Sequence, residues 1–97
     1  MATLRVVARI PARSDTVDAV KTVLLTLIAP TRAESGCIRY ELLQNHEDPT
    51  DFTFVEEWSG DAALQTHMGT PHIAAALGKL GDLLGGAPDI RRYSAVA

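Results

Sequence analysis

Residues 37–58 read "CIRYELLQNHEDPTDFTFVEEW". Two runs rich in β-branched, aromatic and aliphatic residues, Cys37 to Asn45 and Asp51 to Trp58, flank "HEDPT", whose Asp and Pro are turn formers. The stretch is a hairpin of two antiparallel strands. It lies in the middle of the chain, with a helical pattern on either side and one further strand beyond each. That placement decides the fold.

Upstream, Thr3 to Ile10 is a strand with Leu4, Val6, Ala8 and Ile10 on one face and Arg5, Val7 and Arg9 on the other. Pro11 ends it, and Ser14 or Asp15 can cap the helix that follows. Val17, Val20, Leu24, Leu27 and Ile28 then form one apolar stripe. Pro30 should loosen its last turns, and Gly36 is a natural stop.

Downstream, a second helix starts near Ser59 to Asp61 and reaches Met68. "GTP" at 69–71 breaks it, with Thr70 as cap and Pro71 as first residue of the restarted helix. Ile73, Ala76, Leu77, Leu80 and Leu84 make its stripe; "GGAP" ends it, and Asp89 to Val96 is a fourth, more polar strand. The order β-α-β-β-α-β is an α+β, ferredoxin-like pattern: one domain over residues 1–97, with an antiparallel four-stranded sheet and both helices on one face. The other face also carries apolar residues, Val7 and Val55 among them. A sheet face wet on one side should alternate more cleanly. The second face is therefore expected to pack against another copy in a homodimer, which suits a core this small.

Composition narrows the class of function. A net charge of -3 with nine scattered Lys and Arg predicts no nucleic-acid partner and no attraction to an acidic membrane. One cysteine, Cys37, excludes an internal disulfide and reads as a small buried residue. No apolar stretch is long enough to span a bilayer. The start, "MATLRVVARIPARSD", is interrupted by Arg5 and Arg9 and is no signal peptide, so the expected location is cytoplasmic.

The polar groups concentrate in "VEEWSGDAALQTHMGTPH", residues 55–72. Glu56 shares a strand face with Phe52, Phe54 and Trp58, where an unpaired carboxylate is costly. The simplest expectation pairs it with Arg5, Arg9 or Arg39. Trp58 can be core or can wall a pocket for an aromatic ligand. His67 borders the apolar stripe, and His72 lies in the first turn after the break. Their spacing of five is not that of a helical zinc pair, no "HExxH" occurs, and no metal site is expected. Each is a candidate acid or base, weighed against an ordinary half-buried histidine. His46, in the hairpin loop, reads as solvated. Phosphate-binding loops, "GxGxxG" and "GxSxG" are missing.

The segment "APTRAESGCIRYELLQNHEDPTDFTFVEEWSGDAALQTHMGTPH" resembles the antibiotic biosynthesis monooxygenase family of small dimeric α+β barrel proteins. The matching elements are "GCIRYEL", "VEEW", "ALQTHMGTPH" and "RRYSAV". The resemblance implies two ferredoxin-like sheets packed face to face in a homodimer, and a pocket between helices and sheet in each subunit. It implies an oxygenase that uses O2 without metal, flavin or other cofactor, on a small electron-rich aromatic such as a hydroquinone, phenol or anthrone. The family's pocket Trp falls on Trp58 and its helix histidines on His67 and His72; Asn45, Arg39 and Glu56 are further candidates for contact with substrate. The haem-degrading branch needs a histidine where Leu77 stands and an Asn on the first strand, which has none. A non-catalytic dimeric module that binds a small hydrophobic molecule is the alternative reading.

Overall fold

The computed structural model describes residues 2–97. Strand β1 spans Leu4–Pro11, β2 Cys37–Gln44, β3 Asp51–Trp58 and β4 Asp89–Tyr93. They form one sheet in the order β2-β3-β1-β4, every neighbouring pair antiparallel, which is the ferredoxin-like topology the sequence predicts. The last strand is shorter than expected, since residues after Tyr93 carry no regular structure.

The helices fall into four pieces: α1 Val17–Leu25, α2 Ile28–Arg32, α3 Asp61–Met68 and α4 Pro71–Leu80. The first break has a covalent cause. Pro30 has no N–H to give to the carbonyl of Thr26, so the helix lapses at Thr26 and Leu27 and restarts with Pro30 inside the first turn of α2, where a missing donor costs nothing. The second break is a cap. The Thr70 hydroxyl accepts from the Ile73 amide at 3.4 Å, and Pro71 follows as first helical residue. The cap also turns α4 back over the sheet, since the same hydroxyl donates to the His67 carbonyl at 2.7 Å.

The register sets which side chains meet. Val6 pairs with Glu56 and Ala8 with Phe54 across β1 and β3; Tyr40 pairs with Glu56 across β2 and β3. Even-numbered residues of β1 and β3, and of β2 from Tyr40 onward, thus share one face, and that face is covered by the helices; before Tyr40 an irregularity between Cys37 and Arg39 shifts the parity of β2 and leaves Ile38 exposed. Val6, Ala8, Ile10, Tyr40, Phe52, Phe54 and Trp58 are buried there with Val20, Leu24, Leu64, Ile73 and Leu80 from the helices. Fully burying a large apolar side chain is worth about 1.5–3 kcal/mol, so this single layer is the main stabilising term.

The odd-numbered face is a grid of three rows running β2-β3-β1-β4: Arg39, Glu57, Arg5, Tyr93; Glu41, Val55, Val7, Arg91; Leu43, Thr53, Arg9, Asp89. Charges of both signs sit among its apolar members, with Arg5 at 3.6 Å from Glu57, Arg9 at 3.3 Å from Asp51 and Arg39 at 3.7 Å from Glu41. Exposed pairs of this kind are each worth roughly 0–1 kcal/mol. All three arginines are therefore committed to the face away from Glu56, and the expected ion pair with Glu56 does not form.

Among the described residues no helix is long and apolar enough to cross a membrane. At Gly36 the chain between α2 and β2 passes so close to α3 that a methyl group there would collide with the Ala63 Cβ. The backbone is pinned at this point, with the Ser59 amide donating to the Gly36 carbonyl at 2.9 Å. That approach brings Glu34 against the helix that carries His67.

Candidate active site

A cavity of about 70 Å³ lies between the even face of the sheet and helices α1, α3 and α4. Val6, Ala8, Phe54, Leu24 and Leu80 are among its apolar walls, and its polar or aromatic-polar groups are Tyr40, Glu56 and His67. Met68, Leu77 and Ile90 line it too, yet are each about half exposed, so they form its rim. Leu77, expected inside the stripe of α4, is therefore a rim residue at 54% exposure.

Glu56 is 4% exposed. Its Oε1 accepts from the Trp58 indole Nε1–H at 2.8 Å, two residues along the same strand face. This bond replaces the arginine partner. Burial pushes the Glu56 carboxyl up to about 7, the Trp58 hydrogen bond pulls against that, and the negative charge of Glu34 adds a smaller push upward. A carboxyl poised near neutrality can hold or release a proton where most carboxylates are fixed as anions. Trp58 has no exposed surface and does not line the cavity; it stands behind Glu56 and orients it.

His67 is 2% exposed and lies among aromatic rings, with centroids 4.5 Å from Trp58 and 5.7 Å from Tyr40. Its Nδ1 is 2.7 Å from Oε2 of Glu34, and His72 Nε2 reaches the same oxygen at 2.8 Å. His72 does not line the cavity. Tyr40 stacks on Phe54 at 4.8 Å, and burial holds its hydroxyl well above the usual phenol range.

The sequence candidates thus divide. Glu56, Trp58, His67 and His72 come together in one connected cluster. Arg39 does not: it is exposed on the odd face beside Glu41. Nor does Asn45, which organises the hairpin turn by donating to Asp51 Oδ2 at 3.1 Å and accepting from the Glu47 amide at 2.9 Å and the Asp48 amide at 3.2 Å. The residue that sequence reasoning missed is Glu34. No periodicity marks it, and its partners lie 33 and 38 residues away; only the close pass at Gly36 could have pointed to it.

Glu34, His67 and His72 also offer the donor types of a metal site, their ligand atoms all within 4.8 Å of one another. The contacts of 2.7 and 2.8 Å to one oxygen are those of N–H···O bonds. Donors on a four-coordinate zinc with ligand bonds near 2.0–2.1 Å stand about 3.3 Å apart. As it stands the triad is hydrogen-bonded, with two ring nitrogens on one carboxylate oxygen.

Proteins from other organisms share this fold and much of this sequence. A solved structure of PA3566 from Pseudomonas aeruginosa superposes with a TM-score of 0.94 at 33% identity, covering 100% of this chain and 97% of that one. The structure of Rv0793 from Mycobacterium tuberculosis superposes with a TM-score of 0.91 at 28% identity, covering 98% and 96%. In sequence, the mycobacterial protein, which bears the name "Putative monooxygenase Rv0793", is 35% identical over 79 residues, 81% of this chain and 77% of that protein. A Synechocystis protein, sll1783, is 37% identical over 68 residues; the match spans 70% of this chain but only 46% of that protein's length. The family description "Antibiotic biosynthesis monooxygenase" matches residues 3–79. With most of its length matched and its fold shared along the whole chain, this protein belongs to the antibiotic biosynthesis monooxygenase family.

Proposed function

We propose that the protein is a cofactor-independent monooxygenase that oxidises a small electron-rich aromatic, a hydroquinone, phenol or anthrone, with O2. One observation carries the reading: an apolar cavity whose wall holds two proton-accepting groups, Glu56 and His67, and otherwise almost only hydrocarbon. Loss of the acidic proton turns such a substrate into an anion that can pass an electron to O2. The radical pair then combines through a new C–O bond, and the resulting peroxide anion takes back the proton lost in the first step. Loss of water from the hydroperoxide leaves a carbonyl, so an anthrone carbon goes from CH2 to C=O, one oxygen atom enters the product and the other leaves as water. The apolar wall keeps bulk water from the anion, and a protonated Glu56 can donate to the oxygen that gathers charge.

The cavity is smaller than the roughly 150 Å³ that takes up benzene in an engineered core. An aromatic ring must then displace the rim, and Met68 and Leu77, flexible and half exposed, are the side chains placed to yield. Oxygen uptake measured with a panel of hydroquinones, naphthols and anthrones tests the reading. Uptake that scales with enzyme, with the quinone appearing in the absorption spectrum, is expected; uptake no faster than buffer for every compound defeats it.

We further propose that the active form is a homodimer joined through the odd face of the sheet. Val7, Val55, Leu43 and Tyr93 supply apolar contact, and the arginines and carboxylates between them supply charged partners at the rim. Val55→Asp places a carboxylate amid the central row beside Glu41. In sedimentation velocity at micromolar concentration this variant is expected to run as a monomer while the unmodified chain runs as a dimer; a monomeric unmodified chain refutes the proposal.

A further inference from the structure

Resting on the oxygenase reading above, we propose that Glu34 is a positioning residue: its carboxylate holds His67 as the Nδ1–H tautomer and so presents an unprotonated Nε2 to the cavity as the base for the substrate's acidic proton. A carboxylate only accepts hydrogen bonds, so the ring nitrogen facing it must carry the hydrogen. His67 Nδ1 is that nitrogen, at 2.7 Å. In a neutral imidazole the other nitrogen is then bare. His67 lines the cavity while Glu34 and His72 do not, so the edge turned from the carboxylate is the edge available to a ligand.

The carboxylate itself is held in place. The Glu34 amide donates to the Thr31 carbonyl and the Cys37 amide to the Glu34 carbonyl, both at 3.0 Å, which fixes the backbone on either side. His72 approaches Oε2 from the first turn of α4, at 2.8 Å, and stops the side chain from swinging. The His67 ring cannot turn over either, because Trp58 and Tyr40 bracket it and it is 2% exposed. The tautomer is thus selected by a rigid frame.

A purely structural role fits less well with one detail. Glu34 Oε1 is buried and has no hydrogen-bond partner. An acceptor left bare in this way costs stability, and a neutral side chain reaching the same two histidines would avoid placing a charge there. The charge has a use if His67 becomes an imidazolium during turnover. The proton taken from the substrate then sits on a ring whose far side already faces an anion, the arrangement that serves the histidine of hydrolytic triads.

The experiment is long-range 1H–15N NMR of histidine-labelled full-length protein near neutral pH, with steady-state kinetics on a hydroquinone. In the unmodified protein His67 is expected to show the Nδ1–H pattern. In Glu34→Ala it should move towards Nε2–H, and kcat should fall about 100-fold with KM changed by no more than about threefold. Glu34→Gln, nearly isosteric, guards against misfolding. Its amide oxygen can accept the same two N–H groups, so the tautomer should persist while kcat falls by roughly tenfold, the loss assigned to the missing charge. An Nε2–H His67 in the unmodified protein overturns the proposal, and so does a Glu34→Ala variant with undiminished kcat. If no aromatic compound is turned over, the oxygenase reading fails by itself, and the NMR pattern alone decides whether Glu34 turns a bare Nε2 towards the cavity.

Discussion

Glu56→Gln is expected to make the protein more stable at pH 8, by about 3 kcal/mol, and to leave it nearly unchanged at pH 4. The size follows from linkage: a folded pKa of about 7 against an ordinary 4.5 is a shift worth about 1.4 kcal/mol per unit. The direction follows from which state holds the proton. Below the ordinary value both folded and unfolded chains are protonated at this position, and burial of a neutral carboxyl is tolerated. Between pH 4.5 and about 7 the unfolded chain ionises while the folded one still holds its proton, so stability drops as pH rises. Above about 7 the folded chain must bury the anion, and the whole penalty is present. Glutamine keeps the acceptor for Trp58 Nε1 and carries no charge to desolvate. Urea denaturation of both proteins at equal concentration from pH 4 to pH 8 measures the gap. A gap that does not widen with pH would show that the Glu56 carboxyl titrates normally, and would remove one of the two proton acceptors from the proposed mechanism.

Removing Trp58 is expected to do the opposite. Trp58→Ala deletes the largest of the fully buried side chains and takes away the donor of Glu56, for a loss of about 3–5 kcal/mol before the carboxylate is counted. That is a large share of the 5–15 kcal/mol typical of a folded domain, so partial unfolding in the cold and poor solubility are the expected outcome. Trp58→Phe separates the two contributions. It keeps most of the volume and loses the N–H, so its cost should grow between pH 5 and pH 8 as Glu56 ionises without a donor. In the Glu56→Gln background that pH dependence should vanish. A Trp58→Phe penalty equal at both pH values would mean that the indole N–H does not support the carboxylate.

These two residues show how far the sequence could be read. That Glu56 and Trp58 share a strand face follows from their spacing of two, and it predicted their company correctly. The partner of Glu56 was misread because strand pairing has a parity that one chain's alternation does not reveal. With Val6 opposite Glu56, the arginines at positions 5 and 9 point the other way; a slip of one residue would have brought them together. The hairpin, the capped break at Thr70 and most of the two apolar stripes were legible because each is local chemistry over a few residues; Leu77, at the exposed rim, and Leu84, beyond the end of α4, fell outside the second stripe. Arg39 and Asn45 were assigned to the pocket through resemblance, and local forces claim them instead: a carboxylate two residues along the same strand for one, turn amides for the other. Glu34 stayed hidden because what defines it is a meeting of segments far apart in the chain.

The strand order has a bearing on how the chain comes off the ribosome. Strand β1, Leu4–Pro11, lies in the interior of the sheet, hydrogen-bonded to residues 51–58 on one side and 89–93 on the other. Neither neighbour exists when β1 emerges, and β4 is the last of the four strands to be made. Closing such distant pairs carries loop entropy that local hairpins avoid, and it places this topology among the slower folders for its size. Until Tyr93 has been translated, one long edge of β1 stays open to pairing with other nascent chains, so the interval before β4 docks is when the sheet is most exposed to misassembly.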